Sequence, residues 1–312
     1  MRMMGADKVT HYVSGLSTTS APAGRYPRYW RCCVNKHVAC ASLLVTTLCC
    51  GCQNSPVVAA EAEKALIERI GQLPSSYVEV NQKGAVVRVG IWIDEGRTGA
   101  DVLPELARCK QLTAVDLRGR GVVDDDLCHV GKIEGIQELT ITVASVCGRG
   151  FRLLAGARKL RALYCYNTSV TDEGAAGLVH LSHLRHLVIV GAPLGDDGAA
   201  AIGSMHSLVA LKLVMCNVTD RGVAALEALK SLEHLDLSRN EVTDVAVVAI
   251  KSLPKLREVF MNRTLVTENG LAEMADMKSL RRVEFIETSV SEAGSARLAA
   301  MNPCVRWRGP YP

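Results

Sequence analysis

Three histidines lie close together in the sequence and are the residues best suited to binding a metal ion. His180, His183 and His186 are spaced by three residues, and imidazole nitrogens are common ligands of zinc. The segment runs from the end of a predicted helix through a turn into a predicted strand, so no single helical face presents all three rings. The spacing therefore favours solvated histidines over a zinc site, and we predict no metal and no cofactor.

A second chemically suggestive group is an aspartate that recurs in the pattern Val-Thr-Asp-x-Gly, for example at residues 170–174 and 218–222. Repeated carboxylates can bind Ca²⁺, but each turn here carries one acid without the clustered carboxylates of a calcium loop. Threonine and aspartate at the start of a helix accept hydrogen bonds from unpaired backbone N–H groups. The pattern therefore predicts helix N-caps rather than calcium sites.

The sequence lacks the common motifs of catalysis and phosphate binding. It has no P-loop or dinucleotide-binding fingerprint, no Gly-x-Ser-x-Gly turn and no His-Glu-x-x-His zinc helix. The formal net charge is +4, but six bases against one acid in residues 1–51 contribute +5, which leaves −1 for residues 52–312. A nearly neutral body is poorly matched to a phosphate backbone. We therefore predict that the protein is not an enzyme, binds no nucleic acid and has no evident small-molecule substrate.

The first 51 residues have the features of an export signal. A run without charges covers residues 38–50 and follows Lys36 and several arginines. It is shorter than the roughly 20 residues that span a bilayer, but it has the length of the apolar part of a signal peptide. It leads into Cys49-Cys50-Gly51-Cys52, which resembles the cleavage site of bacterial lipoproteins. The resemblance implies lipidation at Cys52, a membrane anchor, and a location in the cell envelope facing the periplasm or exterior.

A 24-residue repeat is the strongest pattern in the chain. Leucine or isoleucine recurs once in every unit from Leu112 to Leu280, and we number each unit from this residue as position 1. Positions 4 and 6 are apolar and alternate with positions 3, 5 and 7, as in a strand with one buried face. Positions 15–22 are rich in alanine and leucine at helical spacing. Each unit is therefore predicted to be a strand followed by a helix, and Ile91 and Ile93 fall at positions 4 and 6 of a degenerate unit over residues 88–111.

This frame, with leucines at positions 1, 4 and 6 and Val-Thr-Asp-x-Gly from position 11, resembles the leucine-rich repeat family in a 24-residue form found in bacterial surface proteins and lipoproteins. The resemblance covers residues 88–312. It implies an α/β solenoid curved like a horseshoe, with parallel strands on the concave face and helices on the convex face. At position 9 the family usually has Asn or Cys, which pairs buried backbone groups; Cys216 and Asn240 match this pattern, whereas Arg120, Ala144 and Ala192 depart from it.

Repeat arrays need ends that shield their stacked core. Upstream of the repeat, an amphipathic segment with Leu66 and Ile70 on one face predicts a helix that ends before Pro74, and two short runs of strand-forming residues predict a hairpin. We therefore expect a signal segment over residues 1–51, a linker and helix–hairpin cap over 52–87, and the solenoid over 88–312. At the other end, Trp307 is placed where its bulk covers the final unit.

The outward strand positions 5 and 7 predict the binding face. They form an apolar patch in the middle of the array beside Lys212, and four of the chain's 13 aromatic residues lie on outward positions where the core does not need them. Exposed apolar patches bordered by tyrosine are typical of interfaces, although such residues also favour strands in general. The predicted partner-binding residues are Trp92 (at position 5), Tyr164, Tyr166, Val188, Val190, Lys212, Val214 and Phe260.

These observations predict an exported binding scaffold that recognises a macromolecular partner, expected to be a protein, through its concave face. One alternative is an intracellular adaptor similar to the leucine-rich repeat substrate receptors of ubiquitin ligases, which applies if residues 1–51 are not a signal and the protein is cytoplasmic. The other is a structural protein of the cell envelope, in which the same patch mediates self-association. Removal of residues 1–51 distinguishes the exported protein from the adaptor.

Overall fold

The computed structural model of the chain describes residues 56–309. The predicted signal segment and Cys52 lie outside this range. Within it, no helix combines the length and the apolar character needed to cross a lipid bilayer.

One sheet of eleven strands runs through the described residues, and its spatial order is the order of the strands in the chain. The first two strands are antiparallel, and each later strand is parallel to the one before it. The strands are β1 (Tyr77–Val80), β2 (Val86–Trp92), β3 (Ala114–Arg118), β4 (Glu138–Thr142), β5 (Ala162–Tyr166), β6 (His186–Val190), β7 (Ala210–Val214), β8 (His234–Asp236), β9 (Glu258–Phe260), β10 (Arg282–Glu284) and β11 (Arg306–Arg308).

Apart from α1, which precedes the first strand, short helices return the chain from the end of one strand to the start of the next. The α-helices are α1 (Pro56–Gln72), α2 (Leu127–Val130), α3 (Asp172–Ala176), α4 (Gly195–Gly203), α5 (Asp220–Ala224), α6 (Ala246–Lys251), α7 (Glu268–Glu273) and α8 (Glu292–Met301). Tighter 3₁₀ helices complete or replace them in several units, at Ala100–Arg108, Asp124–Asp126, Arg149–Gly156, Gly177–His180, Ala225–Ala228 and Met274–Asp276. The chain is thus an α/β repeat solenoid, as the sequence predicts.

The inward rows of the repeat form one continuous core. Positions 4 and 6 are buried in every unit from Val115 and Leu117 to Val283 and Phe285, and the position 1 residues from Leu112 to Leu280 are buried as well. Because each unit covers only one edge of its neighbour, burial depends on stacking of successive units. Regular pairing extends through the units with Arg120 and Ala144 at position 9, since β3, β4 and β5 pair over five residues each.

The first unit differs from its predicted frame. Val89 and Ile91 lie beside Val115 and Leu117, and Trp92 lies beside Arg118. Val89 and Ile91 therefore occupy positions 4 and 6, so the prediction that placed Ile91 and Ile93 there was wrong by two residues. Trp92 belongs to position 7, not position 5. The first unit is two residues longer than the others, and a frame that assumes 24 residues in every unit cannot detect this difference.

Both ends of the core have the predicted covers. Helix α1 buries Leu66 and Ile70, and the hairpin of β1 and β2 leads into the sheet, so that β2 serves both the hairpin and the first unit. At the other end, Trp307 in β11 packs edge-on against Phe285 at 6.5 Å between ring centroids. Its indole Nε1 donates a hydrogen bond to the Asn302 carbonyl at 3.1 Å, which fixes the ring over the last unit.

Candidate partner-binding face

Parallel pairing aligns equal repeat positions of neighbouring units across the outer side of the sheet, which we call the concave face. Tyr164 lies beside Val188 and Tyr166 beside Val190, and Val190 in turn lies beside Val214. Five apolar residues from three strands therefore come together, with the paired residues of adjacent strands about 4.8 Å apart. We call Tyr164, Tyr166, Val188, Val190 and Val214 the central patch.

The members of the central patch differ in exposure. Tyr164, Tyr166, Val190 and Val214 are half-buried, so each offers part of its side chain to a partner. Val188 is only 7% exposed, so the expectation that it is an exposed contact is wrong. Burial raises the pKa of Tyr166, with smaller contributions from Cys165 and Glu138, so the phenol remains a neutral hydrogen-bonding group.

Two other predicted contact residues, Lys212 and Phe260, have partners within the chain. The Lys212 Nζ atom lies 5.6 Å from the centroid of the Phe260 ring and 3.7 Å from Asp236 Oδ2. The Arg282 guanidinium lies 5.0 Å from the same centroid. Cations near an aromatic ring are attracted to its face by about 0.5–2 kcal/mol. Phe260 therefore centres a cation–aromatic cluster beside the central patch rather than a free aromatic anchor.

The opposite end of the concave face carries a charged cluster that the sequence reasoning missed. The Arg88 guanidinium contacts Asp116 at 3.3 Å and Glu138 at 2.8 Å, and the Tyr77 hydroxyl donates to the Asp116 carboxylate. Arg118 lies over the Tyr77 ring at 5.0 Å. Burial and the Asp116 hydrogen bond raise the pKa of Tyr77. The repeat pattern already placed Asp116 and Arg118 on the outward rows. It did not show that β1 brings Tyr77 next to them, and the cluster could not be predicted without this.

Trp92 stands at the border of this charged cluster. Its side chain is 37% exposed, and it lies beside Arg118, several strands away from the central patch. The predicted residues are therefore not one contiguous site. The central patch lies between the charged cluster around Arg88 and the cluster around Phe260, and Lys212 of the latter lies beside Val188.

The three histidines lie on different elements. His180 ends a 3₁₀ helix, His183 lies in the following turn and His186 begins β6. In the described part of the chain, no group of three or more His, Cys, Asp or Glu side chains is arranged to hold a metal ion. Two units along the same row from His186, the Nδ1 atom of His234 lies 3.0 Å from Glu258 Oε2.

The repeated aspartate has a different role from the predicted N-cap. The caps are the hydroxyl residues: Thr171, Thr219, Thr267 and Ser291 accept from backbone N–H groups of their own helices. The aspartate instead bonds to the next unit. Asp196 accepts from the backbone N and the Oγ1 of Thr219, both at 2.7 Å. Asp220 and Asp244 repeat these two bonds with Thr243 and Thr267, so the carboxylates link successive units.

Buried cysteines provide no reactive thiolate among the described residues that line the core. Cys165 and Cys216 are fully buried, and burial raises the pKa of Cys216 to about 12. The Cys216 thiol donates to the Ile189 carbonyl at 3.3 Å. These thiols therefore act as core side chains.

The repeat geometry matches a known family. A model of the family described as "Leucine Rich repeat" matches residues 180–203, 204–226 and 228–251. The chain is a leucine-rich repeat protein. Among solved structures, the crystal structure of an internalin from Listeria monocytogenes is similar with a TM-score of 0.53 over 66% of this chain and 56% of the internalin chain, at 15% sequence identity. A sequence comparison with curated proteins finds no match.

The internalin comparison shows the same leucine-rich repeat fold and leaves the partner open, because one fold hosts many unrelated sites. The match spans a little over half of the internalin's length. Leucine-rich repeats form extended concave surfaces that serve as protein-binding scaffolds.

Proposed function

We propose that this leucine-rich repeat protein is a non-enzymatic scaffold that binds a protein partner through the central patch. The observation that carries the proposal is the alignment of Tyr164, Tyr166, Val190 and Val214 as half-buried neighbours on an outward face. The fold needs apolar residues on the inward rows, but outward positions have no such requirement. Tyrosine surrounded by apolar side chains is a common centre of binding energy in protein interfaces.

Charge patterns beside the patch support contact with a folded protein surface. The Phe260 cluster supplies both signs of charge at one border, through Lys212, Asp236 and Arg282. Interfaces usually combine an apolar centre with a polar rim that sets the orientation of the partner. The central patch and its neighbour show this combination within a few strands.

The test compares two single substitutions that add the same charge. Val190→Asp places a carboxylate in the central patch, whereas Val248→Asp places one on helix α6, where Val248 is 75% exposed. Proteins captured by the full chain from cell extract are compared quantitatively between the wild type and the two variants. We expect a partner whose recovery falls at least about tenfold with Val190→Asp and stays unchanged with Val248→Asp. Equal recovery with both variants would refute the central patch as the binding site.

The same variants address self-association, which is the alternative use of the patch. Sedimentation of the purified chain measures its molecular mass in solution. If the wild type is a dimer and Val190→Asp is a monomer, the patch joins two copies of the chain rather than a different partner. A monomeric wild type excludes the self-associating envelope protein.

We further propose that the protein is exported and anchored to a membrane through lipid on Cys52. Support comes from the sequence: a charge-free run over residues 38–50 and the sequence Cys-Gly-Cys that ends at Cys52. Metabolic labelling with a radioactive fatty acid in the native cells tests this proposal. The label should be lost in Cys52→Ser and retained in the matched control Cys50→Ser. An unlabelled wild type with residues 1–51 intact would favour the intracellular adaptor.

A further inference from the structure

An uncompensated basic cluster lies on the edge of the sheet where strands β5 and β6 begin. Its members are Arg158, Lys159, Arg161 and Arg185, and all four side chains are exposed. Arg161 directly precedes β5 and Arg185 directly precedes β6. His180 and His183 lie in the segment between these strands. We call the four basic residues the basic rim.

The basic rim contains four bases and no carboxylate. Arg161 and Arg185 occupy the same repeat position in adjacent units, so two like charges are lateral neighbours. At the same position farther along, Glu233 and Arg257 form an ion pair at 3.5 Å. Within the described residues, none of the four rim side chains forms an ion pair with an acid, whereas Lys110, Arg149 and Arg263 each pair with an acid one unit further along.

Adjacent like charges repel each other, and the repulsion is relieved when an anion binds between them. The structure also orients one member for such binding. The Nη1 atom of Arg161 donates to the carbonyls of Arg158 at 3.0 Å and Leu160 at 3.2 Å. This holds the guanidinium at the edge of the sheet, which lowers the entropy cost of ordering it around a ligand.

A depression beside the rim offers space for a ligand side chain. It has a volume of about 250 Å³ and is lined by Arg158, His180, His183 and neighbouring residues. Burial, with smaller contributions from Arg185 and His234, lowers the pKa of His186 at the start of β6. The rim is continuous with the central patch, because Tyr164 and Val190 lie in the strands that follow Arg161 and Arg185.

We infer that the basic rim binds an acidic segment of the protein partner, next to the apolar contact at the central patch. This inference rests on the proposed function, to which it adds the chemistry of the partner. The rim spans two units, about 5–10 Å, which fits a few successive carboxylates. Residues 52–312 have a net charge of −1, so this nearly neutral body attracts an extended nucleic acid or an anionic membrane plane only weakly outside this small area.

The test uses a fluorescent oligoglutamate peptide and the full chain, with binding measured by fluorescence anisotropy. Lys159→Glu/Arg185→Glu reverses two rim charges without touching Arg161, whose side chain bonds to the backbone. The matched control Lys64→Glu/Lys83→Glu changes the total charge equally at two exposed lysines of the N-terminal cap. We expect the wild type to bind the peptide, affinity to fall as salt is added, and the rim variant to bind at least about tenfold more weakly. The control should stay within about twofold of the wild type.

Three outcomes would overturn the inference: no peptide binding by the wild type at low salt, equal weakening in both double variants, or binding to vesicles of anionic lipid in preference to the peptide. Thermal unfolding of each variant identifies a folding defect, and Lys159→Gln/Arg185→Gln then serves as the milder substitution, for which an intermediate loss of affinity is expected. Val190→Asp should bind the peptide normally. A failed peptide experiment therefore rejects the rim and leaves the central patch standing, whereas unchanged partner capture by Val190→Asp rejects the patch itself.

Discussion

At repeat position 8, eight successive units have a backbone φ between 50° and 103°, and only two of them use glycine. The others include Val143, Asn167 and Met215. Here each strand ends, and the backbone N–H donates to the next unit, as from Val143 to the Tyr166 carbonyl at 2.9 Å. Branched side chains are strained in this left-handed region, while Asn and Gly tolerate it.

Val143→Asn should therefore stabilise the protein. Val143 is 38% exposed, so the substitution loses little buried area, and it gives this unit the residue that the next unit has as Asn167. We expect the free energy of unfolding to rise by about 1 kcal/mol. Chemical denaturation measures it. The reciprocal Asn167→Val should lower stability by a similar amount, and an equal decrease in both variants would contradict the strain at Val143.

The side chains at position 9 occupy equivalent places in successive units but differ in how many backbone groups they pair with. Asn240 Oδ1 accepts from the backbone N–H groups of Cys216 and Val218, and its Nδ2 donates to the Leu213 and Leu237 carbonyls. Thr264 makes one such bond, and the buried Thr168 hydroxyl makes none in the described structure. The family pattern at this position is thus fulfilled at Asn240 and only partly elsewhere.

At the scale of elements, aspartate and glycine together join one turn to the next. Asp196 accepts from the backbone N–H groups of Thr219 and Gly222 in the following unit. A Cβ on Gly222 would lie 2.5 Å from Asp196 Oδ1, which is too close for any other residue without a shift. The recurring Asp and Gly of the pattern therefore form one contact between units: the aspartate of one unit accepts from the backbone of the next, and the glycine leaves space for its carboxylate.

The stability of this contact should depend on pH. Burial alone would raise the pKa of Asp196, but hydrogen bonds from Thr219, Arg221 and Gly222 lower it below the ordinary 3.8. A carboxyl whose pKa is lower in the folded state stabilises the protein above its unfolded pKa and loses this contribution as the pH falls through the folded value. The stabilisation is therefore complete at neutral pH and declines below about pH 4.

Asp196→Asn should lower the free energy of unfolding by about 1–2 kcal/mol at neutral pH, because an amide nitrogen cannot accept the Thr219 hydrogen bond. The difference from the wild type should shrink in acid. Denaturation at several pH values measures both effects. Asp197→Asn is the matched control, since the side chain of Asp197 is 71% exposed and, within the described residues, forms its ion pair with the equally exposed Arg221. A constant difference at all pH values would argue against this role of Asp196.

At the scale of the whole molecule, the solenoid is a linear stack in which each unit contacts its neighbours. Stability in such arrays is close to a sum of unit and interface contributions, so the ends unfold most easily. Helix α1 and the hairpin cover one end. At the other, β11 and the contact between Trp307 and Phe285 do so.

Trp307→Ala should therefore loosen the last units selectively. Removing a partly buried indole and its hydrogen bond to Asn302 should cost about 2–3 kcal/mol. Hydrogen exchange should speed up in β10 and β11 while β4 to β6 keep their protection. Trp92→Ala, at an exposed indole near the other end, should change exchange much less. A uniform increase along all units would show that the array unfolds as one cooperative body instead.

The repeat period by itself determined the stacked units, the strand–helix order, the buried rows and the outward rows that hold Tyr164 and Val190. Every unit buries the same repeat positions, so the same positions are apolar in every unit. The buried rows can therefore be identified from the sequence. The helix before Pro74 and the role of Trp307 followed from the same need to cover a stacked core.

Only the tertiary structure decided what depends on contacts between units. It shifted Trp92 to position 7 because two extra residues precede β3. It also buried Val188 on the outward face and directed each aspartate to the next turn. It also paired Phe260 with Lys212 and Arg282 while leaving Arg161 and Arg185 without acids. Which side chains meet across two units depends on the register of the strands and on the other side chains that compete for the same partner. The repeat period in the sequence specifies neither.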